Sequence, residues 1–363
     1  MTNLGARVPG GSEVREPPTD DGATLVISVV IGTLNGARRL PHALGALDLQ
    51  SDPPSFEVIV VDDGSEDGSA AIARSAGAHT IRLERNQGHG HALNVGIRAA
   101  RGDVIALMDD DCVPPPSWLR DVATAWSTAS PSVTIIGGSV VPLETDTLNR
   151  RYVAFREPLL PQEASLDEHA SLARRLRFAF LAPTPRDERR SVYFVIGANM
   201  SIRRSAVLEV GGFDETPSIA GEEEGIARKL RAVYGSETVQ YDPSVVMRHD
   251  YARSLADTFR RSRTYGRAYG RRFADSGGIP TIRPVPGAAL VFGACGWLLS
   301  PVVGAIALAA SPFVLYRRWI TKPQQATKIE RCAFTYLQLL EDVCGNVGFL
   351  EGFMERRRAH AEP

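Results

Sequence analysis

Short apolar runs alternate with helix-length segments over the first part of the chain. Strands that are apolar at nearly every position are buried on both faces, which is typical of a parallel sheet covered by helices. The alternation therefore predicts a doubly wound α/β domain whose ligands bind at the carboxyl ends of the strands. The apolar runs are TLVISVVI (24–31), FEVIVV (56–61), HTIRL (79–83), DVIALM (103–108) and VTIIGG (133–138), and residues 37–50, 67–76, 89–101 and 116–129 between them have helical spacing.

The overall composition excludes several classes of protein. Hydrophobic residues make up 44% and charged residues 23% of the 363 residues, so the average fits neither a disordered chain nor a polytopic membrane protein. Lys plus Arg at 41 against Asp plus Glu at 42 give a net charge of -1, which argues against nucleic acid as a partner. The four cysteines are widely spaced without a C-x-x-C motif, so we expect neither disulfides nor a zinc site.

Changes in composition mark the ends of this domain. Residues 1–23 contain almost no apolar residues, so we expect a disordered tail. The tail lacks the apolar segment of a signal peptide, which favours a domain that remains in the cytoplasm. Residues 142–190 have no clear periodicity and are interpreted only as a connecting region. The block Val192–Asp250 is ordered again, with an apolar run at 191–202, a Gly-Gly-Phe-Asp turn at 211–214 and a helix at 222–234.

Two carboxylates, Asp62 and Asp63, follow the second predicted strand in the sequence VVDDGSEDGS (60–69). A carboxylate at the carboxyl end of a strand points into the ligand crevice, where it can accept hydrogen bonds from ribose hydroxyls or a base. An ordinary turn with a helix N-cap is the alternative for these residues.

Three consecutive carboxylates, Asp109, Asp110 and Asp111, follow the fourth predicted strand. They repel one another, and their burial is costly unless a cation compensates their charge. A divalent metal would do so, and hard oxygen ligands favour Mg²⁺ or Mn²⁺, which typically bridge to substrate phosphates. A solvated acidic loop is the alternative, against which the strongly apolar strand argues.

Histidines and glutamates form further candidate groups. A glycine-rich segment leads into the helix at 89–101 and exposes N–H groups that suit an anion. His89 and His91 in this segment are candidates for phosphate contacts, with incidental loop histidines as the alternative. His249 is a candidate metal or phosphate ligand, and a packed histidine is the alternative. The three acids at 222–224 begin a helix, where they stabilise its dipole; a carboxylate there could also act as a general base.

Residues 284–316 contain no Asp, Glu, Lys, Arg or His. This length exceeds the roughly 20 apolar residues that span a bilayer. Ser300 and Pro301 lie in the middle of the segment, so one tilted helix and a re-entrant hairpin both fit. Positive charge on both flanks favours a hairpin with both ends in the cytoplasm, and a buried helical pair in a soluble protein is the alternative. The flanking residues are Arg260, Arg261, Arg263, Arg267, Arg271 and Arg272 upstream and Arg317, Arg318 and Lys322 downstream.

The upstream arginines predict an interfacial helix that lies on anionic membrane lipids. A merely solvated helix face is the alternative.

These motifs, in this order, resemble the family 2 glycosyltransferases of the GT-A fold. The resemblance covers about residues 24–250 and implies a Rossmann-like α/β domain that binds a nucleotide sugar. The matching segments are SVVIGTLNGARRLPHAL, VDDGSEDGS, RNQGHGHALNVGIRAARGDVIALMDDD with the D-x-D motif, NMSIRRSAVLEVGGFDE beside the acceptor, and GEEEGIARKL in place of the E-D motif.

The resemblance also implies roles for individual residues. The donor nucleotide sugar is bound through Thr33, Asn35 and Asp63, with Asp62 supporting the turn and Asn94 and Asp110 as further donor-binding residues. A divalent metal, Mg²⁺ or Mn²⁺, is held by Asp109 and Asp111, with His249 as an added ligand. Glu223 lies at the place of the catalytic base, with Glu222 beside it.

The sequence departs from the family pattern at several places. The family commonly has Pro where Gly32 stands and an aromatic residue where Leu34 stands, so base stacking from that position is lost. The E-D motif reads Glu-Glu, which lengthens its second carboxylate by one methylene. A further acid is replaced by Gly225, and a basic residue of the glycine loop is replaced by His89.

Together, these observations predict an inverting, metal-dependent glycosyltransferase at the cytoplasmic face of the cell membrane. It would move a sugar from a nucleotide-diphosphate sugar to a hydroxyl of a lipid-linked or polysaccharide acceptor. The alternatives are a sugar-phosphate nucleotidyltransferase, which Arg38 and Arg39 in the first loop keep open, and a non-catalytic membrane-bound protein that binds sugar nucleotides. The expected divisions are a tail (1–23), the catalytic domain (24–250), an Arg-rich interfacial helical region (251–283), a membrane hairpin or single span (284–316) and a C-terminal helical region (317–363).

Overall fold

The computed structural model describes residues 25–164, 170–181, 187–215, 221–252, 254–277, 282–316 and 326–360. The predicted tail at 1–23 and the basic residues Arg317, Arg318 and Lys322 lie outside these ranges. The strands are β1 (Ile27–Thr33), β2 (Phe56–Asp62), β3 (His79–Arg82), β4 (Val104–Leu107), β5 (Cys112–Val113), β6 (Ile135–Pro142), β7 (Gln162–Glu163), β8 (Arg190–Phe194), β9 (Met200–Arg203) and β10 (Val239–His249).

The helices of the first part of the chain alternate with these strands, as predicted. They are α1 (Leu40–Asp48), α2 (Ser69–Ser75), α3 (His89–Ala99), α4 (Trp118–Ser127), α5 (Leu148–Arg156), α6 (Leu172–Leu181), α7 (Arg204–Glu209) and α8 (Glu222–Tyr234). After the last strand, the described residues form the helices α9 (Leu255–Ser276), α10 (Val285–Trp297), α11 (Pro301–Leu315) and α12 (Lys328–Ala359).

The sheet is mixed, with the order β3-β2-β1-β4-β9-β6-β10-β8-β7, and β5 pairs with β10. The first four strands are parallel, which confirms the α/β prediction for this part of the chain. The prediction of a parallel sheet is wrong for the sheet as a whole, because β9 lies between β4 and β6 and is antiparallel to both. Strand β6, which begins within the predicted 133–138 run, is therefore separated from β4 by β9.

Helices cover both faces of this sheet. Every residue of β1 is buried, as a central strand with two covered faces requires. Helices α1 and α4 pack on one face through residues such as Leu44 and Trp118. Helices α3, α7 and α8 pack on the other face through residues such as Leu93 and Leu230.

The apolar run at 191–202 forms two separate strands rather than one. Strand β8 pairs with β10 near the edge of the sheet, whereas β9 lies between β4 and β6. A single 3₁₀ turn at Gly197–Asn199 separates them. Apolar content could not distinguish these two strands, because both are covered by helices or neighbouring segments.

Helices α9 and α12 run parallel in close contact. A Cβ atom on Gly266 would lie 2.0 Å from the carbonyl oxygen of Gly345, and one on Gly348 would lie 2.0 Å from that of Arg263. The two backbones therefore approach each other at glycines, where a side chain would collide with the facing helix. Arginines of α9 form ion pairs with glutamates of α12 along the same contact, namely Arg263 with Glu351 and both Arg267 and Arg271 with Glu355.

These ion pairs change how the arginine-rich segment is interpreted. The sequence count predicted a row of charges facing anionic lipid, but three of the six arginines are compensated by carboxylates of α12. Arg272 is paired with Glu224 of α8, and Arg260 with Asp257 one turn earlier. Less positive charge is therefore available for lipid than the sequence count suggested.

The uncharged segment at 284–316 folds into two short antiparallel helices, α10 and α11, that turn back at 298–300. Of the two alternatives that the sequence left open, the single span is wrong, because the first helix ends at Trp297. Ser300 then caps the second helix by accepting a hydrogen bond from the backbone N–H of Val303 at 3.1 Å. Within the described ranges, every helix is too short or too polar to cross a bilayer.

Both ends of this hairpin are attached to the same buried carboxylate of α12. Arg283, just before α10, donates to Asp342 at 3.0 Å, and the hydroxyl of Tyr316, just after α11, donates to Asp342 at 2.5 Å. The neighbouring Glu341 accepts hydrogen bonds from Tyr152 and Arg156 of α5 at 2.7 and 2.5 Å. Helix α12 therefore links the hairpin to the catalytic domain through buried polar contacts.

We predict that Gly348→Ala lowers the free energy of unfolding by about 1–3 kcal/mol, because the added methyl group would collide with the carbonyl of Arg263. The measurement is urea denaturation followed by circular dichroism. Gly45→Ala in α1 is the matched control, since a Cβ there meets nothing within 4 Å. The control is expected to stabilise its helix by about 1 kcal/mol. Equal effects of both substitutions would contradict the close α9–α12 contact.

Candidate active site

The predicted acidic residues come together at one edge of the sheet. Thr33 ends β1, Asp62 ends β2, and Asp109–Asp111 follow β4. These strands are parallel neighbours, so their carboxyl ends meet in the crevice where α/β folds bind ligands. His249, at the end of β10, also belongs to this group. Strand β5 directly follows the three aspartates in the chain, and β10 pairs with it, so that His249 lies opposite Cys112.

Asp110 is turned into the protein and is compensated there. It is 7% exposed and accepts hydrogen bonds from Thr33 Oγ1 at 2.6 Å, Arg39 Nε at 2.8 Å and Arg39 Nη2 at 3.1 Å. The carboxylate raises the pKa of Arg39 through these hydrogen bonds. The middle aspartate is thus neutralised by a side chain, where the sequence suggested a metal for all three.

Thr33 and Asp110 lie against each other. Both were predicted to bind the donor, and in this structure their side chains also bind each other. Arg39, which kept the nucleotidyltransferase alternative open, is the cation on Asp110. Sequence reasoning missed this role, although Arg39 was visible as an unexplained cation in the first loop.

Asp109 and Asp111 are the two aspartates that remain on the open side. Ligand atoms of Asp109, Asp111, Cys112 and His249 all lie within 4.8 Å of one another. Asp111 Oδ1 is 3.2 Å from His249 Nε2, yet Asp111 Oδ1 and His249 Nδ1 are buried atoms without a hydrogen-bond partner among the described residues. Buried polar atoms without partners are rare in proteins, so this cluster fits a bound cation.

The protonation states of the cluster favour the two aspartates and the histidine as ligands. Burial lowers the pKa of His249 by more than Asp111 raises it, so the imidazole is neutral at pH 7, the form that binds metals. Burial raises the pKa of Cys112 well above its usual value, which keeps this thiol protonated. Mg²⁺ and Mn²⁺ prefer oxygen, so Cys112 is unsuited to them.

The ring of Tyr251 stacks on that of His249 with centroids 4.5 Å apart, and it holds the imidazole in place.

Asp62 and Asp63 shape the turn after β2. Asp62 Oδ1 accepts from the backbone N–H of Ser65 at 2.9 Å. The two oxygens of Asp63 accept from the N–H groups of Gln87 and Gly88 at 2.7 and 2.9 Å, which ties the turn to the glycine-rich segment. The turn and the glycine-rich segment, which the sequence suggested as separate features, are therefore one unit.

The two predicted asparagines differ in their surroundings. Asn35 has a φ of 54°, and its exposed side chain accepts from the N–H of Glu66 at 3.0 Å. Asn94 is buried and binds the 213–215 segment, with hydrogen bonds to both backbone groups of Phe213 and to Glu215. Asn94 therefore holds the 213–215 segment in place, and its predicted role in donor binding stays a prediction.

Two departures from the family pattern touch each other. A Cβ atom on Gly32 would lie 3.2 Å from Nδ1 of His89, so the glycine leaves room for the imidazole. The other ring nitrogen, Nε2, is 4.0 Å from Asp109. His89 is thus beside the acid cluster, whereas His91 binds Glu215 at 2.9 Å.

The three glutamates at the start of α8 have different partners. Glu224 is paired with Arg272 of α9 at 2.9 Å. Glu223 Oε1 accepts from the backbone N–H of Gly197 at 3.2 Å, and its carboxylate contributes to raising the pKa of Asp109. Burial raises the pKa of Glu222, with smaller contributions from Glu223 and Asp109. Glu222 and Glu223 therefore lie close enough to Asp109 to interact with it electrostatically.

Comparison with protein families and curated proteins gives consistent matches. The family model described as "Glycosyl transferase family 2" matches residues 28–211. Glycosyltransferase AglE of Haloferax volcanii is 38% identical over 121 residues, which are 31% of this chain and 39% of that protein. The pre-mycofactocin glycosyltransferase of Mycobacterium tuberculosis is 28% identical over 252 residues, or 69% of this chain and 47% of the relative. The chain thus spans less than half of the length of these two relatives.

Two further proteins are similar over different shares of the chain. The undecaprenyl-phosphate 4-deoxy-4-formamido-L-arabinose transferase of Aeromonas hydrophila is 29% identical over 203 residues, 51% of this chain and 59% of that protein. Among solved structures, the mannosyltransferase PcManGT from Pyrobaculum calidifontis, in complex with GDP-Man and Mn²⁺, has a TM-score of 0.51 at 20% identity. It covers 91% of this chain and 88% of its own, which supports the same fold.

We predict that Asp109→Asn stabilises the metal-free protein at pH 7 by about 1 kcal/mol. Burial, with the carboxylates of Asp111 and Glu223, raises the pKa of Asp109 from 3.8 to about 6, so the ionised form is disfavoured in the folded state. This penalty is absent below pH 3.8 and grows as the pH rises through about 6. Urea denaturation at pH 4 and pH 7 measures it.

The matched control is Asp187→Asn, which removes an exposed carboxylate away from the cluster. It is expected to leave the free energy of unfolding unchanged at both pH values. A gain for Asp109→Asn of equal size at pH 4 and pH 7 would contradict the raised pKa.

Proposed function

The chain belongs to glycosyl transferase family 2, and we propose that it transfers a sugar, with inversion, from a nucleotide-diphosphate sugar to a hydroxyl of a lipid-linked or polysaccharide acceptor. The observation that carries this proposal is the division of the acid cluster. Asp110 is neutralised by Arg39, whereas Asp109 and Asp111 lie within 4.8 Å of His249, and Asp111 Oδ1 and His249 Nδ1 are buried without a hydrogen-bond partner among the described residues. A diphosphate has the charge and the oxygens to complete such a cation site.

Asp109, Asp111 and His249 would hold Mg²⁺ or Mn²⁺. Two carboxylates and one neutral imidazole suit these ions, since both accept oxygen ligands and tolerate a nitrogen. When bound, the ion would neutralise charge on the diphosphate leaving group. The support within this chain is the set of buried ligand atoms that lack hydrogen-bond partners among the described residues.

The nucleoside would bind over the ends of β1 and β2. Asn35 is exposed there, and its left-handed backbone is held by the side chain of Ser65 through a hydrogen bond of 2.9 Å. Asp63 already accepts two backbone N–H groups, but each carboxylate oxygen has a second lone pair for a ribose hydroxyl or base. Asp62 would support the turn.

Glu223 would act as the general base. Its Oε1 is oriented by the N–H of Gly197, which leaves Oε2 to accept the proton of the acceptor hydroxyl. The hydroxyl oxygen would then bond to the anomeric carbon while the bond to the diphosphate breaks, and the nucleoside diphosphate leaves with the electron pair. A single displacement of this kind inverts the anomeric configuration. Glu224 is unsuited because Arg272 binds it, and Glu222 would stand beside the base.

The α10–α11 hairpin would insert into the cytoplasmic leaflet of a membrane. Its turn presents Leu298 and Leu299, which are 87% and 80% exposed, next to the exposed indole of Trp297. Its sides are also apolar and exposed, and the whole segment lacks charge. A surface of this kind is stable in contact with lipid, and Trp is typical of the membrane interface. The hairpin would bring the active site to a lipid-linked acceptor, a class that the Aeromonas hydrophila relative's name also contains.

We predict that the purified chain transfers sugar from at least one nucleotide-diphosphate sugar when Mg²⁺ or Mn²⁺ is present. A panel of such donors is tested with lipid-phosphate and saccharide acceptors, and released nucleoside diphosphate is measured. Glu223→Gln is expected to reduce turnover at least 100-fold, because the amide cannot take the proton of the acceptor.

The matched control for this substitution is Glu237→Gln, the same chemical change in the turn that follows α8. It is expected to keep normal turnover. Near-normal turnover of Glu223→Gln would exclude Glu223 as the base, and the absence of transfer from every donor would contradict the proposed function.

We predict that Leu290→Asp combined with Ile306→Asp abolishes cosedimentation with vesicles of phosphatidylethanolamine and phosphatidylglycerol. Both side chains are exposed on the hairpin, at 66% and 62%. Charges at these positions oppose insertion. Leu49→Asp is the control, because Leu49 is equally exposed but lies on the catalytic domain. Unchanged sedimentation of the double variant, or a stable oligomer that the double variant dissolves without lipid, would contradict a membrane hairpin.

A further inference from the structure

Helix α9 crosses the cleft from the histidine side to the glutamate side. It begins shortly after His249, and Thr258 in its first turns donates to Asn149 of α5 at 3.0 Å. Near its other end, Arg272 binds Glu224 of α8 at 2.9 Å. The helix is therefore attached to the catalytic domain at both ends of the acid-lined region.

One face of α9 is directed at this region between the two attachments. Residues 258, 261, 265, 269 and 272 recur at a spacing of three or four, so they share one helix face. Thr258 and Arg272 on this face contact the catalytic domain. Tyr269, on the same face, lies near the glutamates of α8. Burial raises its pKa to about 12, and the charges of Glu223 and Glu224 also raise it.

The arginines of the opposite face are engaged elsewhere. Arg263, Arg267 and Arg271 form the ion pairs with α12 described above. Arg261 is the arginine on the cleft face between the two attachments. The α9–α12 pairing thus sets which arginine is directed at the active site.

Arg261 lies among charged groups without forming an ion pair. Its guanidinium is 5.8 Å from the ring centroid of Tyr265, and no carboxylate oxygen of the described residues lies within 4.0 Å of it. Its side chain is exposed to solvent. Desolvation lowers its pKa, but Tyr265 and the carboxylates of Asp111 and Asp109 raise it by more. Its charge also contributes to lowering the pKa of His249.

The other cations near the aspartates are less available for a ligand. Arg39 is bound in two places to Asp110, and His89 carries a charge only when it is protonated. Arg261 therefore offers a permanent charge near the acid cluster; its side chain interacts with Tyr265 of its own helix, and no carboxylate of the described residues pairs with it. The planar guanidinium matches two oxygens of one phosphate group, which makes Arg a frequent phosphate ligand.

We propose that Arg261 binds a phosphate group in the cleft, with α9 as the wall that positions it. This proposal rests on the proposed function, whose reaction has two sources of phosphate. One is the diphosphate of the donor, and the other is the phosphate of a lipid-linked acceptor. The chemistry at Arg261 is the same for both, since each presents paired anionic oxygens.

The test compares Arg261→Ala with Arg260→Ala. Arg260 is the adjacent arginine, but it is exposed and pairs with Asp257 on its own helix. Calorimetric titrations use UDP and GDP with Mn²⁺, uridine and guanosine as probes without phosphate, and farnesyl phosphate as the acceptor probe. We expect Arg261→Ala to weaken binding of a phosphate probe 10- to 100-fold and to leave nucleoside binding unchanged.

The pattern of losses identifies the source of the phosphate. Weaker binding of nucleoside diphosphate alone assigns Arg261 to the donor, and weaker binding of farnesyl phosphate alone assigns it to the acceptor. Arg261→Lys, which keeps the charge but not the paired donors, is expected to bind with intermediate affinity. Thermal unfolding checks that the variants fold; if Arg261→Ala does not, Arg261→Gln replaces it.

Two results would overturn the proposal and are distinguishable from each other. If the wild type binds a phosphate probe and Arg261→Ala binds it equally well, the role of Arg261 is wrong while the proposed function stands. If the wild type binds none of the phosphate probes, the proposed function itself fails, and the role of Arg261 fails with it. Equal losses for Arg260→Ala would show a general effect of charge on α9.

Discussion

A buried carboxylate needs a compensating group, and the arrangement of the active site depends on the one that Asp110 receives. Arg39 binds both of its oxygens and Thr33 donates to it, so the middle of three consecutive acids is neutralised inside the protein. Without this compensation, three adjacent negative charges at a strand end would carry a large cost in repulsion and desolvation. The flanking Asp109 and Asp111 lie within 4.8 Å of His249, and under the proposed function they would hold a cation together with it.

Charge compensation also joins the C-terminal helices to each other and to the rest of the protein. Helix α12 compensates three arginines of α9 and, through the buried Glu341 and Asp342, also holds α5 and both ends of the hairpin. Close backbone contact at glycines keeps α9 in one orientation against α12. The helix that borders the active site and the hairpin that carries the exposed apolar surface are thereby parts of one connected body.

Local sequence patterns were sufficient to predict the elements of the first half of the sheet, where strands and helices alternate along the chain. The strands β1 to β4 and the helices between them lie close to their predicted positions, because a buried parallel strand is apolar throughout and its helix shows a period of 3.6. The same reasoning does not divide the apolar run at 191–202 into β8 and β9, since apolar content does not show which strands pair with each other. The insertion of β9 between β4 and β6, which makes the sheet mixed, is a long-range choice of this kind. For 284–316 the sequence left a single span and a hairpin open and favoured the hairpin, and the break before Pro301 divides the segment into two helices.

The sequence by itself determined which chemical groups are present and in what order, because the acids, His249 and the uncharged segment are visible in the linear chain and match a family order. The tertiary structure decided how those groups are divided. It assigned Asp110 to Arg39, Asn94 to the 213–215 segment and Glu224 to Arg272, and it brought Asp109 and Asp111 within 4.8 Å of His249. The physical reason is that a charge is satisfied by its neighbours in space, and these neighbours lie tens of residues away in the chain.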